Sequence, residues 1–547
     1  MEFSVLVGGK AGQGVAKISY VVGKIFTNLG FYAFNYRDYG SFVKGGHNFN
    51  VIKIASKPVY SFDKSYDFII AFDEETLSIH LKNLKEDGVL LTTKQIHEKY
   101  PKSIGIDTNK IIQENKLPNY VFNTIFLGAF FKICGISWDT VEKAVSKELR
   151  GKENLVAARK GYESVDVIRR IEEIKEGKRY FINGSEAVAM GALAAGIDLY
   201  IAYPMTPATP VLHILAKLQE KFGIKVVQLE NEIAVVNAAL GASYAGAKVM
   251  VGTSGGGFAL MNEALSLQGM SEVPLVVYLA QRAGPSTGVP TYTEQGDLKF
   301  ALNAGHGEFP RILIAPGDSK EAFYKTIEAF YWAYKYRTLS ILLSDKHLAE
   351  SHFTFSNFEK PKLKVERFLL TGDDVKADYK NYKITESGIS LRSVPGEKVI
   401  VRATSYEHDE NGITTEDPEM IRRMKEKRLR KWKTIEKDSE KFERVVVYGN
   451  GKKLLISWGS TKGAIIDALP KLQGWKFLQI IYFSPFPKEE VRREMEEAEE
   501  IVAIENNSTG QMVSIIKENT GLDVNRTILK YDGRPFTPLE IVKEVIG

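Results

Sequence analysis

One cysteine stands among the 547 residues, and it limits the chemistry open to this chain. A lone thiol, Cys134 in FKICGISW, cannot close an internal disulfide, fill a zinc site of several cysteines or hold an iron–sulfur cluster. Its neighbours are apolar, the setting of a buried structural thiol. Any redox cluster this protein uses must therefore sit on another chain. Long apolar runs are missing too. No stretch approaches the roughly 18 residues a membrane span needs. The opening MEFSVLVGGK lacks a charged segment followed by a long apolar core, so the cytoplasm is the expected compartment. No charge of one sign dominates: 73 Lys and Arg stand against 68 Asp and Glu, a net of +5. The two signs are interleaved, so nucleic acid is not implied as a partner. A G-D-G followed by a helix and an Asn, the arrangement that carries magnesium and diphosphate in thiamine enzymes, is also absent.

What is present is an ordinary globular composition, 44% hydrophobic and 26% charged, in a chain long enough for about three or four domains. The first stretch, residues 1–175, opens FSVLVGGKAGQGVAKISYVVGKIFTNLG. An apolar strand runs into Gly8, Gly9, Gly12 and Gly14, and a helix follows with Ile18, Val21, Val22, Ile25 and Phe26 on one face. Such a loop can present backbone N–H groups to a phosphate; the alternative is a tight turn that closes helix onto strand. Lys17 occupies the place of the third glycine in a dinucleotide motif, which weakens an NAD reading. Further strands at NVIKI, FIIAF and GVLLTT make this an α/β domain. Between them YGSFVKGGHN sets a flexible, basic turn around Lys44.

The second stretch, 179–355, repeats strand, loop and helix: KVVQL then EIAVVNAALGASYAG, KVMVG then GGFALMNEALSLQGM, PLVVYLA then a polar loop. This predicts a parallel, doubly wound sheet whose ligands sit beyond the carboxyl ends of its strands. Thr206, Glu232, the TSGGG turn and Arg282 all fall at such ends. Taken alone, YPMTPATPVLHIL is a strand-to-helix connector capped by Thr206 or Thr209. Four polar features on one edge favour a site instead. There Pro204 and Pro207 hold Thr206 in one place.

The third stretch, 356–448, is polar and charge-dense. Thr415, Asp417 and Pro418 mark a helix start, and the alternating charges after it read as a solvated face. His408 and Asp409 in EHDENG form either a surface turn or a loop that reaches a substrate. The fourth stretch, 449–547, alternates strand and helix again. Its Gly459–Ser460–Thr461 turn is read as structural, with an anion contact at Ser460 as the alternative.

YPMTPA, ENEIAVVNAALGASYAGA, TSGGGFALMNEAL, QRAGPSTGVPTYTEQGDL and AGHGEFPRILIAPGD resemble the alpha subunit of 2-oxoacid:ferredoxin oxidoreductases. GGKAGQGV with YGSFVKGGHN resembles the gamma subunit of the same family, fused here ahead of alpha, and the last stretch resembles the C-terminal domain of transketolase-like enzymes. Two departures stand out: Met205 where the family carries Ile, and Lys44 where it carries Arg. The resemblance implies thiamine diphosphate- and coenzyme A-dependent oxidative decarboxylation of a 2-oxoacid, pyruvate and 2-oxoglutarate among the candidates. It also implies a beta subunit bearing the Mg2+–diphosphate site and a [4Fe-4S] cluster, ferredoxin as acceptor, and an assembly of alpha–beta heterodimers.

Within that frame Glu232 faces the aminopyrimidine ring, with Glu230 two residues away as the alternative. Arg282 and Thr206 grip the substrate carboxylate, beside a cofactor pocket bounded by Tyr203 and Pro204. His408 and Asp409 are substrate-loop candidates. Gly9, Gly12, Gly14 and Lys44 are expected to hold coenzyme A phosphates, against the alternative that the glycines only shape a docking domain. Two other functions compete: a non-redox thiamine decarboxylase component, and a binding module without chemistry.

Overall fold

The computed structural model describes residues 1–41, 46–174, 177 and 179–547. The chain is an α/β protein in two compact units that are not continuous in sequence. The first joins Met1–Asn183 to Glu350–Phe358 and Thr537–Lys543, and the second holds Gly184–Ala349, Glu359–Phe536 and Glu544–Gly547.

In the first unit the strand Glu2–Lys10 is central. It pairs antiparallel with His47–Ala55 from Glu2↔Ala55 to Lys10↔His47, and parallel with Tyr66–Ala71. The helix Val15–Asn28 buries Ile18, Val21, Val22, Ile25 and Phe26 against this sheet, the face its spacing predicts. Cys134 lies fully buried in the same core, where desolvation pushes its thiol well above the ordinary value. That is a structural thiol. The strand His352–Phe355, distant in sequence, pairs with Tyr180–Asn183 and extends the sheet.

The second unit contains two sheets. In the larger, Arg311–Ile314, Leu339–Asp345, Leu275–Gln281, Val249–Thr253, Leu199–Ala202 and Lys225–Gln228 lie side by side in that order and run parallel. Tyr482–Ser484 adds an antiparallel edge. The smaller sheet is built on Lys453–Trp458, parallel to both Trp475–Ile480 and Glu500–Glu505. A buried ion cluster joins the two: Lys462 meets Asp318 at 2.5 Å and also Glu321. The Gly459–Ser460–Thr461 turn is tied down beside it, with Thr461 Oγ1 donating to Gln295 Oε1 at 3.1 Å.

The helix Pro418–Ser439 starts where expected, with the Asp417 carboxylate accepting from the Met420 amide at 3.0 Å. Its charged face is not wholly solvated, which corrects the sequence reading. Lys427, Arg428 and Lys431 are buried. Lys427 donates to Glu272 at 2.6 Å, Lys431 pairs with the same carboxylate, and Arg428 pairs with Glu407. Glu272 ends the helix Gly255–Ser271 with a left-handed φ of 49° and is itself 1% exposed. A carboxylate removed from water there demands cations.

Candidate active site

Four adjacent parallel strands of the larger sheet end at one edge, and each end delivers one of the expected groups. Leu199–Ala202 leads into Tyr203–Pro207, Lys225–Gln228 into Glu232, Val249–Thr253 into Ser254–Gly257, and Leu275–Gln281 into Arg282. Residues some 75 positions apart in sequence meet there because the strand order, not the chain order, sets their spacing.

Thr206 caps nothing: the helix Thr209–Phe222 begins after Ala208, without a side-chain cap. Instead the Thr206 carbonyl accepts a hydrogen bond from Arg282 Nη1 at 2.8 Å. The proline-stiffened turn and the guanidinium therefore hold each other. Met205, the family departure, brings its Sδ to 4.0 Å from Thr253 Oγ1. Tyr203 is 38% exposed at the mouth of the turn, and Pro204 is half-buried beside it.

The two glutamates part company. Asn231 caps the helix Glu232–Tyr244 by accepting from the Ala234 amide at 2.9 Å, which makes Glu232 the first helical residue. Glu232 is 2% exposed, whereas Glu230 precedes the cap and is exposed. The Glu232 carboxylate lies against Gly257, where a methyl group would come within 2.4 Å of Oε1 and 2.1 Å of Thr253 Oγ1. Among the described residues, neither the buried Glu232 Oε1 nor the buried Ser254 Oγ has a hydrogen-bond partner. Buried polar atoms of this kind call for a partner that the fold itself does not supply.

Thr253 and Ser254 are the TSGGG turn expected at this edge, whereas Asp297 and Gln281 also belong to it but carry no signal that the sequence reading used. Asp297 lies in the quoted TEQGDL, and an acid directly before an apolar helical run was the available signal. Burial raises its carboxyl to about 6, with Arg282 acting in the opposite direction. Burial likewise lowers Arg282, which Asp297 partly offsets, and raises Glu294, which Asp297 reinforces.

The other candidates lie elsewhere. His408 is fully buried, with Nδ1 2.9 Å from the Asp409 carbonyl, Nε2 3.3 Å from the Met270 carbonyl, and its ring 3.9 Å from that of Tyr382. Asp409 Oδ1 accepts from the amides of Asn411 and Ile413 at 2.8 and 2.9 Å. Both residues build a turn, but His408 is buried under it rather than set at the surface, which corrects the surface-turn reading for that residue. In the first unit, Gly12 (φ +92°) and Gly14 (φ +78°) occupy the left-handed region that only glycine enters at low cost. Gly14 precedes the helix Val15–Asn28 without a side-chain cap. Space above Gly12 is open, while Gly9 is packed by Phe72 and Gln13. Lys44 lies outside the described residues.

Two family models match the chain. One, "Pyruvate ferredoxin/flavodoxin oxidoreductase", covers residues 4–164, and the other, "Pyruvate flavodoxin/ferredoxin oxidoreductase, thiamine diP-bdg", covers 190–427. The alpha subunit of a 2-oxoacid:ferredoxin oxidoreductase from Sulfolobus sp is 34% identical, over 100% of this chain and 97% of that protein. The KorA subunit of a 2-oxoglutarate synthase from Archaeoglobus fulgidus is 31% identical, over 67% of this chain and 98% of its own length. Among solved structures, a 2-oxoglutarate:ferredoxin oxidoreductase from Magnetococcus marinus was determined with 2-oxoglutarate, coenzyme A and succinyl-CoA bound. It superposes with a TM-score of 0.89 at 29% identity, covering 100% of this chain and 99% of that one. Sequence along the whole chain and fold agree: this chain belongs to the 2-oxoacid:ferredoxin oxidoreductases.

Proposed function

We propose that this chain is one half of a thiamine diphosphate-dependent 2-oxoacid decarboxylating site, completed by a cluster-bearing beta subunit. The observation that carries the reading is the buried, unpartnered Oε1 of Glu232, set over Gly257 on the same sheet edge as Arg282 and Thr206. Thiamine diphosphate, when bound, would supply a thiazolium carbon that is nucleophilic once deprotonated and a ring able to hold the electron pair released with CO2. Glu232 holds a proton at the aminopyrimidine ring nitrogen. Arg282, with Nη1 already committed to the Thr206 carbonyl, turns the rest of its fork to the substrate carboxylate, and the Thr206 hydroxyl adds a contact. The diphosphate, its Mg2+ and the [4Fe-4S] cluster that feeds ferredoxin are assigned to beta. Ile233 and Leu260, 51% and 52% exposed on the two helices beside the site, offer an apolar face for that partner. Coenzyme A phosphates are assigned to the loop of Gly9, Gly12 and Gly14 together with Lys44.

Glu232→Gln in the assembled complex tests the reading. Proton exchange at the thiazolium carbon is expected to collapse while the chain's thermal unfolding stays put. Wild-type exchange in this variant, with Glu230→Gln equally active, removes the assignment. For coenzyme A, Gly12→Ala is expected to raise the KM for coenzyme A, yet leave single-turnover decarboxylation without coenzyme A intact. A parallel loss of both makes the loop a scaffold.

A further inference from the structure

Asp297 is held against the helix Gly255–Ser271 and the strand end next to Arg282 in a way the turn at its own position does not require. It occupies the cap position of the short helix Leu298–Leu302, but its side chain makes no capping hydrogen bond. Its backbone amide donates to Gln281 Oε1 at 2.8 Å, which pins it to the strand end that carries Arg282. Its carboxylate lies on the first residue of the helix Gly255–Ser271, since a methyl group on Gly255 would meet Oδ2 at 2.5 Å and Oδ1 at 3.1 Å. That helix end has no side-chain cap and favours an anion. Among the described residues Asp297 makes no ion pair within 4.0 Å, so Arg282 balances it through space rather than by contact.

The charges around it are few. Arg282, at the strand end, acts on it through space, and Glu294 lies in its own loop. Glycines face it from the helix behind. Gln281 and Gln511, the latter accepting from the Lys299 amide and donating to the Gly296 carbonyl, are neutral supports, and Lys299 is exposed. A 2-oxoacid carboxylate arriving at Arg282 therefore adds a second or third anion to one cation in a half-buried edge. Like charges that close cannot all stay ionised.

We propose that Asp297 is the resident counter-charge of Arg282 and takes up one proton when the substrate carboxylate binds. It is a positioning residue: it keeps Arg282 balanced while the site is empty and is neutralised by a proton from solvent when the substrate carboxylate arrives. Burial already holds this carboxyl near a pKa of about 6, within easy reach of protonation. The sign follows. Substrate binds the form with Asp297 protonated, so the KM for the 2-oxoacid rises with pH above that value, by up to about tenfold per unit.

The proposal rests on Arg282 being the carboxylate site, so the test carries that control. Steady-state KM and kcat for the 2-oxoacid are measured in the assembled complex from pH 5.5 to 8 for wild type, Asp297→Asn, Glu294→Gln and Arg282→Ala. The expected result is a rising log KM in wild type and a flat, low KM in Asp297→Asn, with Glu294→Gln keeping the wild-type slope. Arg282→Ala should raise KM at every pH. An unchanged KM in Arg282→Ala overturns the carboxylate assignment itself. A raised KM there, with the wild-type slope persisting in Asp297→Asn or lost in Glu294→Gln, overturns the role of Asp297 alone. A mere structural role for Asp297 would lower kcat or yield without touching the slope, which also overturns it.

Discussion

Gly257→Ala puts one methyl group where Thr253 and Glu232 meet. The added carbon would lie 2.1 Å from Thr253 Oγ1, 2.4 Å from Glu232 Oε1 and 2.7 Å from Glu232 Cγ. Ordinary contact begins at 3.4 Å, so Oε1 must retreat by 3.4 − 2.4 = 1.0 Å if the backbone holds. Two terms oppose each other in stability. Overpacking costs about 1–3 kcal/mol, and replacing a helical glycine by alanine returns about 1 kcal/mol. The net loss, about 0–2 kcal/mol, leaves a domain of ordinary stability folded. Catalysis has no such offset: a displacement of about 1 Å in a reacting group costs about 10²-fold. The variant is therefore expected to fold, bind its partner, and lose about two orders of magnitude in kcat/KM and in proton exchange at the thiazolium carbon. Gly241→Ala, on the helix Glu232–Tyr244 with no atom within 4 Å, isolates the propensity term and should stabilise the isolated chain. A Gly257→Ala complex that exchanges at the wild-type rate would refute the placement of Glu232 at the reacting ring.

Glu272→Ala leaves Lys427 and Lys431 buried without their carboxylate, and denaturant unfolding should show a loss of about 3–5 kcal/mol. Asp417→Ala removes the cap bond to the Met420 amide and should cost about 1 kcal/mol in the same assay. Acid should destabilise the first unit through His352, whose imidazole burial and the nearby Arg37 and Lys24 lower to about 3. The unfolded chain takes this proton near pH 6.5 and the folded one does not. Stability is thus complete above 6.5 and falls by up to about 1.4 kcal/mol per unit on the way down to about 3. His352→Gln, which keeps an acceptor for Asn35, should remove that slope from an unfolding series run between pH 4 and 6.5.

The sequence by itself determined what depends on local period. The buried face of Val15–Asn28, the start of Pro418–Ser439 at Asp417, and the strand–loop–helix alternation that sets Thr206, Glu232 and Arg282 at strand ends all follow from spacing within a turn or two. Tertiary structure decided what depends on which strands are neighbours. Glu230 and Glu232 look alike in the chain, and only the Asn231 cap and the approach of Gly257 bury one and leave the other in water. His352–Phe355 joins a sheet begun some 300 residues earlier, a pairing no local pattern encodes. Lys427 and Lys431 read as solvated because their partner, Glu272, sits on another helix more than 150 residues away. Asp297 was an unremarked acid in a loop until the parallel order of the sheet set it beside Arg282. Burial and charge balance are properties of neighbours in space, and chain order alone does not name them.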